Sequence, residues 1–329
     1  MKIEPTINLY LEYCMSRQLR PRTLQSYEQT IRLFAVWLRE TQMIEDIEDV
    51  KDSTVRRYIL SMQKRGKYTI CADQNSKLIN FPERRTDYGG QISNITINGY
   101  LRNLRSFFTW MTDMEFIEKN PMRRIKPLPS QRNKRDFLED MEVKALIAAM
   151  DKEINTEYRD LMVMMLILDS GMRLGETLTI ETEQLDLINR SVYLPAEKTK
   201  GRKARTVFFS QRTARELRKW LKLKEQMCDS QLVFPVMRTG QALCVRNYEA
   251  NFRKYVKRTM ISKQVSPHTL RNNFAKRCLL SGMDIYTLSR ILGHSSVTVT
   301  EKAYLDVRDQ ELRGKYVQHS PMERIYGRA

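Results

Sequence analysis

Residues 158–176 read YRDLMVMMLILDSGMRLGE. From Leu161 to Leu168 every position is apolar. A helix without a polar face in that stretch belongs at the centre of a domain. Gly171 suits the residue that stops such a helix. Glu176 stands near the start of the next helix, so Arg173 sits at a sharp, fixed turn between two helices. The fold that grows outward from this stretch is mostly helical.

A shorter helix is expected near Leu138 to Met150, just upstream. Downstream come brief β signals: Gln184–Leu187, a turn at Asn189, Ser191–Leu194 and Thr206–Ser210. The last two flank the basic turn KTKGRKAR, residues 198–205, which predicts a small antiparallel hairpin sheet. Helices resume from Gln211.

Residues 5–62 also read as helical. Leu9, Cys14, Leu24, Tyr27, Ile31, Phe34, Trp37 and Leu38 recur at three- and four-residue intervals. Pro21 opens a helix. Another is expected over Ser53–Gln63, and the pattern resumes at Thr96 with Ile97, Leu101, Leu104, Phe107, Phe108 and Met111. Between them, residues 64–94 are polar, with Gly66, Pro82 and the Gly89–Gly90 pair, and read as an inserted loop or hairpin. Residues 119–135, KNPMRRIKPLPSQRNKR, hold three prolines and seven basic residues and no acid. That composition predicts a semi-rigid extended linker able to track a phosphate backbone. The expected organisation is therefore α+β, mostly α. A helical DNA-binding domain spans 1–118, with the 64–94 insertion. A basic linker spans 119–135, and a domain of helices with a small antiparallel sheet spans 136–329.

The chain has 329 residues, enough for two domains at about 100–200 residues each. Its formal net charge is +18, with 41% hydrophobic and 29% charged residues, a globular composition that calls for a polyanionic partner. Residues 1–128 contribute 21 Lys/Arg against 15 Asp/Glu, and the remainder 36 against 24, so both parts are basic. The longest apolar run is far short of the ~20 residues of a membrane span. The N-terminus, MKIEPTINLYLEY, lacks the apolar core of a secretory signal. The five cysteines are widely spaced without a C-x-x-C pair, as expected of reduced thiols in a cytoplasmic protein.

Four segments could carry chemistry: SGMRLGE at 170–176, the 198–205 turn, SPHTLR at 266–271, and LGH at 292–294 followed by Tyr304. Ser266 can cap a helix with Pro267 in its first position, and His268 and Arg271 then share one face. Singly, each has an ordinary structural reading. Together they hold two arginines, a lysine, two histidines and a tyrosine. There is no H-E-x-x-H, no G-x-x-x-x-G-K-[ST] and no G-x-G-x-x-G, so no metal, nucleotide or other cofactor is called for. Arginines and histidines can bind a phosphodiester and neutralise charge growing on its oxygens. A tyrosine hydroxyl can attack phosphorus and be held as an ester. A lysine can protonate the departing 5′ oxygen.

In order and spacing these segments resemble the tyrosine recombinases, the phage integrase and Xer-type enzymes. SGMRLGE, KGRKAR, HTLR, LGHSS and AYL follow one another as that family's motifs do. The resemblance is carried by about residues 136–315; residues 1–118 resemble the family's core-binding domain by pattern and composition only. It implies that Tyr304 is the nucleophile and that Arg173 and Arg271 clamp the scissile phosphate. Lys200 would be the general acid, matching better than Lys198 or Lys203. His268 would assist proton transfer, His294 would hydrogen-bond the phosphate, and Glu176 would support Arg173. Asn272 stands where many relatives have His, and Tyr304 lies one residue farther from His294 than in many relatives.

The function this implies is site-specific recombination or integration of double-stranded DNA carrying a core site. It would run through a 3′-phosphotyrosine and a Holliday junction, as for a mobile genetic element. The two domains would form a C-shaped clamp, four protomers would synapse, and the tail after Tyr304 would dock on a neighbouring protomer. Arg123, Arg124, Lys126, Arg132, Lys134, Arg135, Arg202, Lys203 and Arg205 are the cations expected to hold the duplex. Two other readings share these features. A type IB topoisomerase would relax plasmids without a defined site, and a non-catalytic architectural DNA-binding relative would carry a broken set of these residues. An RNA-binding protein has no aromatic motif in its support.

Overall fold

A computed structural model of the chain describes residues 1–72, 77–78, 81–130, 137–199, 201–294 and 296–304, the last three by their backbone alone. The chain divides into two compact units, Met1–Arg132 and Asn133–Ala329.

The first unit is a helical bundle. It comprises α1 (Ile3–Ser16), α2 (Pro21–Trp37), α3 (Asp52–Lys64) and α4 (Asn94–Asp113). Pro21 occupies the first turn of α2, where its missing N–H costs nothing. Ser93 caps α4, its hydroxyl accepting from the Thr96 N–H. The apolar stripes meet in an aromatic centre. Tyr10 packs edge-on against Phe107 at 5.3 Å between centroids, and Phe34 against Tyr58 at 4.8 Å. One buried amide stitches α4 to α2: Asn103 Nδ2 donates to Thr30 Oγ1 at 2.9 Å and Ser26 Oγ at 3.0 Å.

The described part of the 64–94 segment closes at its base. The Lys67 N–H donates to the Gly90 carbonyl at 2.7 Å, and the Gly89 N–H to the Lys67 carbonyl at 3.0 Å. A Cβ on Gly66 would lie 2.5 Å from Gly89 Cα, so only glycine fits this neck.

The expected linker is not free over its first half. Met122 and Ile125 are buried in the aromatic core of the first unit, and Leu128 packs against it. Asn98 clasps the Leu128 backbone from both sides, accepting its N–H at 2.8 Å and donating to its carbonyl at 2.9 Å. Asn94 donates to the Pro129 carbonyl and Arg105 to that of Ile125. The first unit therefore runs about a dozen residues past the expected boundary at 118. The apolar residues at 122, 125 and 128 recur every third position and bury one side of the segment. Arg123, Arg124 and Lys126 stay exposed. Arg132, Lys134 and Arg135 lie outside the described residues.

The second unit is built around α6 (Asn155–Ser170), preceded by α5 (Asp140–Ala148) and followed by the short α7 (Leu174–Thr177). Leu161, Met162, Val163, Met164, Leu166 and Ile167 are buried, as an all-round apolar helix requires. Its polar start is also internal. Arg159 and Asp160 pair at 2.8 Å, and Asp160 accepts further bonds from Asn251 and the Tyr255 hydroxyl. The sheet is antiparallel in the order β1 (Leu185–Asp186), β2 (Ser191–Leu194), β3 (Arg205–Phe208). Its register sets Val192 against Val207 and Leu194 against Arg205. Among the described residues five further helices follow: α8 (Gln211–Met227), α9 (Val245–Lys257), α10 (Pro267–Leu280), α11 (Ile285–Leu292) and α12 (Val297–Tyr304). None of the described helices is long and apolar enough to cross a membrane.

The Asn98 clasp is open to measurement. Asn98→Ala removes two hydrogen bonds and strands two backbone groups. At about 1 kcal/mol for each lost bond, a loss of roughly 1–3 kcal/mol is expected as a lower urea midpoint. An unchanged midpoint would show that residues 119–130 do not contribute to the first unit.

Candidate active site

The site begins with two glycines that end helices. Gly171 stops α6 at φ +69° and Gly293 stops α11 at φ +64°. Both are left-handed positions, and both lack room for a side chain. A Cβ on Gly171 would enter the Phe274 ring, and one on Gly293 would lie 2.9 Å from the Arg205 side chain.

The turn at the end of α11 exposes three successive carbonyls with no partner inside the helix. Each is taken by a different arginine. Arg205 Nε donates to the Ile291 carbonyl at 3.0 Å, and Arg271 Nη2 to that of Leu292 at 2.6 Å. Arg173 Nη2 donates to the Gly293 carbonyl at 3.2 Å. Arg271 also reaches across to the Gly171 carbonyl at 2.6 Å, so one side chain ties together the turns that end α6 and α11. Three expected segments, SGMRLGE, HTLR and LGH, are thereby gathered at one place. The hairpin joins them through Arg205.

Arg271 extends from α10, which Ser266 caps with Pro267 in the first turn, as the sequence reading expects. Arg271 itself is buried, while His268, one turn earlier, is exposed. Arg173 caps α7, its N–H donating to Glu176 Oε2 at 3.0 Å and its Nη1 to Oε1 at 3.0 Å. Glu176 is nearly sealed from solvent, its side chain 4% exposed, against 27% for Arg173. Burial pushes its carboxyl up, but Arg205 and Arg173 outweigh that and hold it below the ordinary glutamate value.

His294 follows Gly293. Its Nε2 faces Arg271 Nη2 at 3.2 Å and its Nδ1 faces the buried Thr300 hydroxyl at 2.7 Å. A guanidinium can only donate, so Nε2 accepts and Nδ1 carries the proton toward Thr300. Thr300 was not foreseen. It lies four residues before Tyr304, on one face of α12.

Arg205 departs from expectation. Its basic neighbours predict a cation that holds DNA, but its side chain is 9% exposed, and it pairs with Glu176 Oε2 at 2.5 Å and Oε1 at 3.2 Å. The strand period shows why. Arg205 and Val207 are two apart on β3, so they share the buried face, while Thr206 and Phe208 point outward. Lys198 is likewise engaged, donating to Glu181 at 2.6 Å and the Thr179 carbonyl at 3.1 Å. Arg202 and Lys203 are exposed on the hairpin turn. Lys200 lies outside the described residues, as do the tail after Tyr304 and the Tyr304 side chain.

The arrangement sets two guanidiniums, Arg173 and Arg205, on one carboxylate and gathers a third, Arg271, on the same α11 turn, with Arg173 accessible to solvent. Such a site accepts an anion and stabilises negative charge that grows on it. Because the Glu176 carboxyl is held low in the folded state, its stabilisation is present above the ordinary glutamate range. It is lost as pH falls through the depressed value. Wild type should therefore be more stable than Glu176→Gln at pH 7, and the gap should shrink below about pH 4.3. Urea midpoints across pH 3–8 check this, and a gap that stays constant in acid would refute it.

Residues 136–311 match the model of the phage integrase family, and residues 7–73 that of the phage integrase N-terminal SAM-like domain. The tyrosine recombinase of Thermosipho africanus (strain TCF52B) is 26% identical over 310 residues, which is 94% of this chain and 97% of that one. The tyrosine recombinase XerC of Lacticaseibacillus casei (strain BL23) is 24% identical over 318 residues, or 95% and 96% of the two chains. Among solved structures, the Tn1549 transposon integrase in complex with transposon right end DNA shares the fold. Its TM-score is 0.71 at 17% identity, over 97% of this chain and 99% of that one. A lambda integrase dimer bound to a core site gives 0.66 at 14% identity, over 92% and 95%. The first match spans more than half of the sequence, and the chain belongs to the phage integrase family, the tyrosine recombinases, a family of site-specific DNA recombinases.

Proposed function

We propose that this chain cuts and rejoins double-stranded DNA at a specific site through a 3′-phosphotyrosine, without a metal ion or nucleotide cofactor. The observation that carries this reading is the gathering of Arg173, Arg271 and His294 on the C-terminal turn of α11, directly before the helix that ends at Tyr304. Its relatives are named tyrosine recombinases, and the solved structures that share its fold hold DNA.

In this reading the Tyr304 hydroxyl attacks the scissile phosphorus. The new O–P bond forms as the bond to the 5′ oxygen breaks, and the protein keeps the 3′ phosphate as an ester. Lys200 gives the departing 5′ oxygen its proton, and His268, at the exposed start of α10, takes up the proton that the Tyr304 hydroxyl loses on attack. The Arg173 and Arg271 guanidiniums offset charge on the non-bridging oxygens. His294 donates to one of those oxygens once its Nε2 is protonated, because in the described arrangement that nitrogen accepts from Arg271. Attack by a 5′ hydroxyl from the partner duplex reverses the chemistry and joins the strands. Four protomers then exchange strands in pairs through a Holliday junction, with the tail after Tyr304 docked on a neighbour.

The proposed division of labour leaves the first unit, with Arg123, Arg124 and Lys126, to grip phosphates. Arg202 and Lys203 do the same at the hairpin turn. Arg132, Lys134 and Arg135, which lie outside the described residues, are proposed to take part in the same grip.

The test uses a duplex selected by the wild-type chain from a random-sequence pool and nicked near the cleavage point to trap the intermediate. Wild type should give a covalent adduct on a denaturing gel. Tyr304→Phe should give none while binding the same duplex with nearly unchanged affinity, since only a hydroxyl is lost. An adduct with Tyr304→Phe removes Tyr304 as nucleophile. Lys200→Ala should cleave slowly, by about 10²–10⁴-fold for loss of a general acid. A 5′-bridging sulfur should restore the rate, because sulfur leaves without a proton. Failure of that rescue removes Lys200 from the acid role.

A further inference from the structure

Arg205 has an arrangement that a DNA contact does not explain. It opens β3, at the foot of the hairpin, and uses three N–H groups inward. Two grip both oxygens of Glu176, and the third holds the Ile291 carbonyl. Its stem lies so close to the α11 turn that a Cβ on Gly293 would meet it at 2.9 Å. Glu176 in turn makes two bonds to Arg173, one to its backbone N–H and one to its guanidinium. The other Arg173 guanidinium bond goes to the Gly293 carbonyl, in the turn whose Ile291 carbonyl Arg205 holds. Among the described residues, the guanidinium bonds that orient Arg173 thus run to groups that Arg205 fixes. His294 stands in that same turn and is held by Arg271 and Thr300.

We infer that Arg205 is a positioning residue for strand cleavage: it sets Glu176 and the α11 turn, and through them Arg173 and His294, without touching the DNA. The inference rests on the recombinase reading above. It also links the hairpin to the cleavage centre, since the residue that fixes the centre is the first residue of a hairpin strand.

The chemistry requires an arginine. A planar fork can hold both carboxylate oxygens and still present a third donor to a carbonyl. A lysine ammonium is a single point and cannot span both oxygens and the turn with the same geometry. Removing Arg205 leaves Glu176 with Arg173 as its remaining ion-pair partner among the described residues. The carboxylate is then free to draw the Arg173 guanidinium away from the phosphate position.

The experiment compares wild type, Arg205→Ala and Arg205→Lys on the selected, nicked duplex. It measures affinity across salt concentrations and the single-turnover rate of adduct formation at saturating protein. A positioning role predicts unchanged affinity and salt dependence, with cleavage slowed about 10–100-fold in Arg205→Ala, the usual cost of a lost supporting contact. Arg205→Lys should recover part of that rate. A DNA-contact role predicts the reverse: the salt slope falls by about one and the saturated rate is unchanged, which overturns the inference. Equal rates in all three proteins also overturn it. If Arg205→Ala does not fold, Arg205→Met in a Glu176→Gln background replaces it, because no buried charge is then left unpaired. Its rate is compared with that of Glu176→Gln alone, and equality overturns the inference. No adduct from wild type itself overturns the recombinase reading and this inference together, whereas an adduct from wild type separates the two.

Discussion

The carbonyl end of α11 is the constraint on which the rest of the second unit depends. A helix that stops inside a protein leaves carbonyls that water cannot reach, and each needs a donor. Here the donors at 291, 292 and 293 are Arg205, Arg271 and Arg173, from three separate parts of the sequence. Cations at a helix C-terminus are also favoured by its partial negative charge, by roughly 0.3–1 kcal/mol each. Burying so many guanidiniums would be prohibitive without such partners, because a charge taken from water must find others to replace it. Glu176 supplies one full charge. It pairs with Arg205 and Arg173, while Arg271 is held by backbone carbonyls and His294.

This separates two kinds of positive charge that a net count of +18 merges. Arg159, Arg205 and Arg271 are internal. Lys198 and Lys224 are tied to nearby oxygens, the latter to the Ser230 carbonyl. These cations organise the protein. Arg123, Arg124, Lys126, Arg202 and Lys203 are exposed to solvent. Their interaction is screened by salt, whereas that of the internal group is screened far less.

Much of the local structure was legible because it is written in residues with one dominant use. Pro21 and Pro267 begin helices, Ser266 caps one, and Gly171 and Gly293 end two. The alternation Ser191–Leu194 and the turn after it specified β2 and β3. The positions of Arg173, Arg271 and His294 were legible as spacing, and the fold brings them together. Three features were not. The 119–130 segment was judged by its prolines and charge, while its Met122, Ile125 and Leu128 anchors are sparse and only acquire meaning against an aromatic core elsewhere. Arg205 was judged by its basic neighbours, although its parity with Val207 already placed it on the inner face. Thr300 carries no signal of its own, since a threonine's partner depends on which side chain the tertiary fold delivers, here His294.

These contacts form one continuous series. From β3 it passes through Arg205 to Glu176 and the Ile291 carbonyl, from Glu176 to Arg173, and from Arg173 to the Gly293 carbonyl. His294 then leads to Thr300 on α12. The links from Arg205 to Glu176 and Ile291 and from Arg173 to Gly293 join elements that are distant in sequence, and the internal ones lie where water competes little, so those bonds are electrostatically stronger than they would be at the surface. Groups held this way need not reorganise when charge develops beside them, which is the condition under which fixed dipoles and cations lower a barrier most. The same rigidity has a consequence for control. A displacement of the hairpin moves Arg205, and Arg205 cannot move without releasing either Glu176 or the α11 turn. The position of the hairpin and the geometry of the anion site are therefore one variable rather than two.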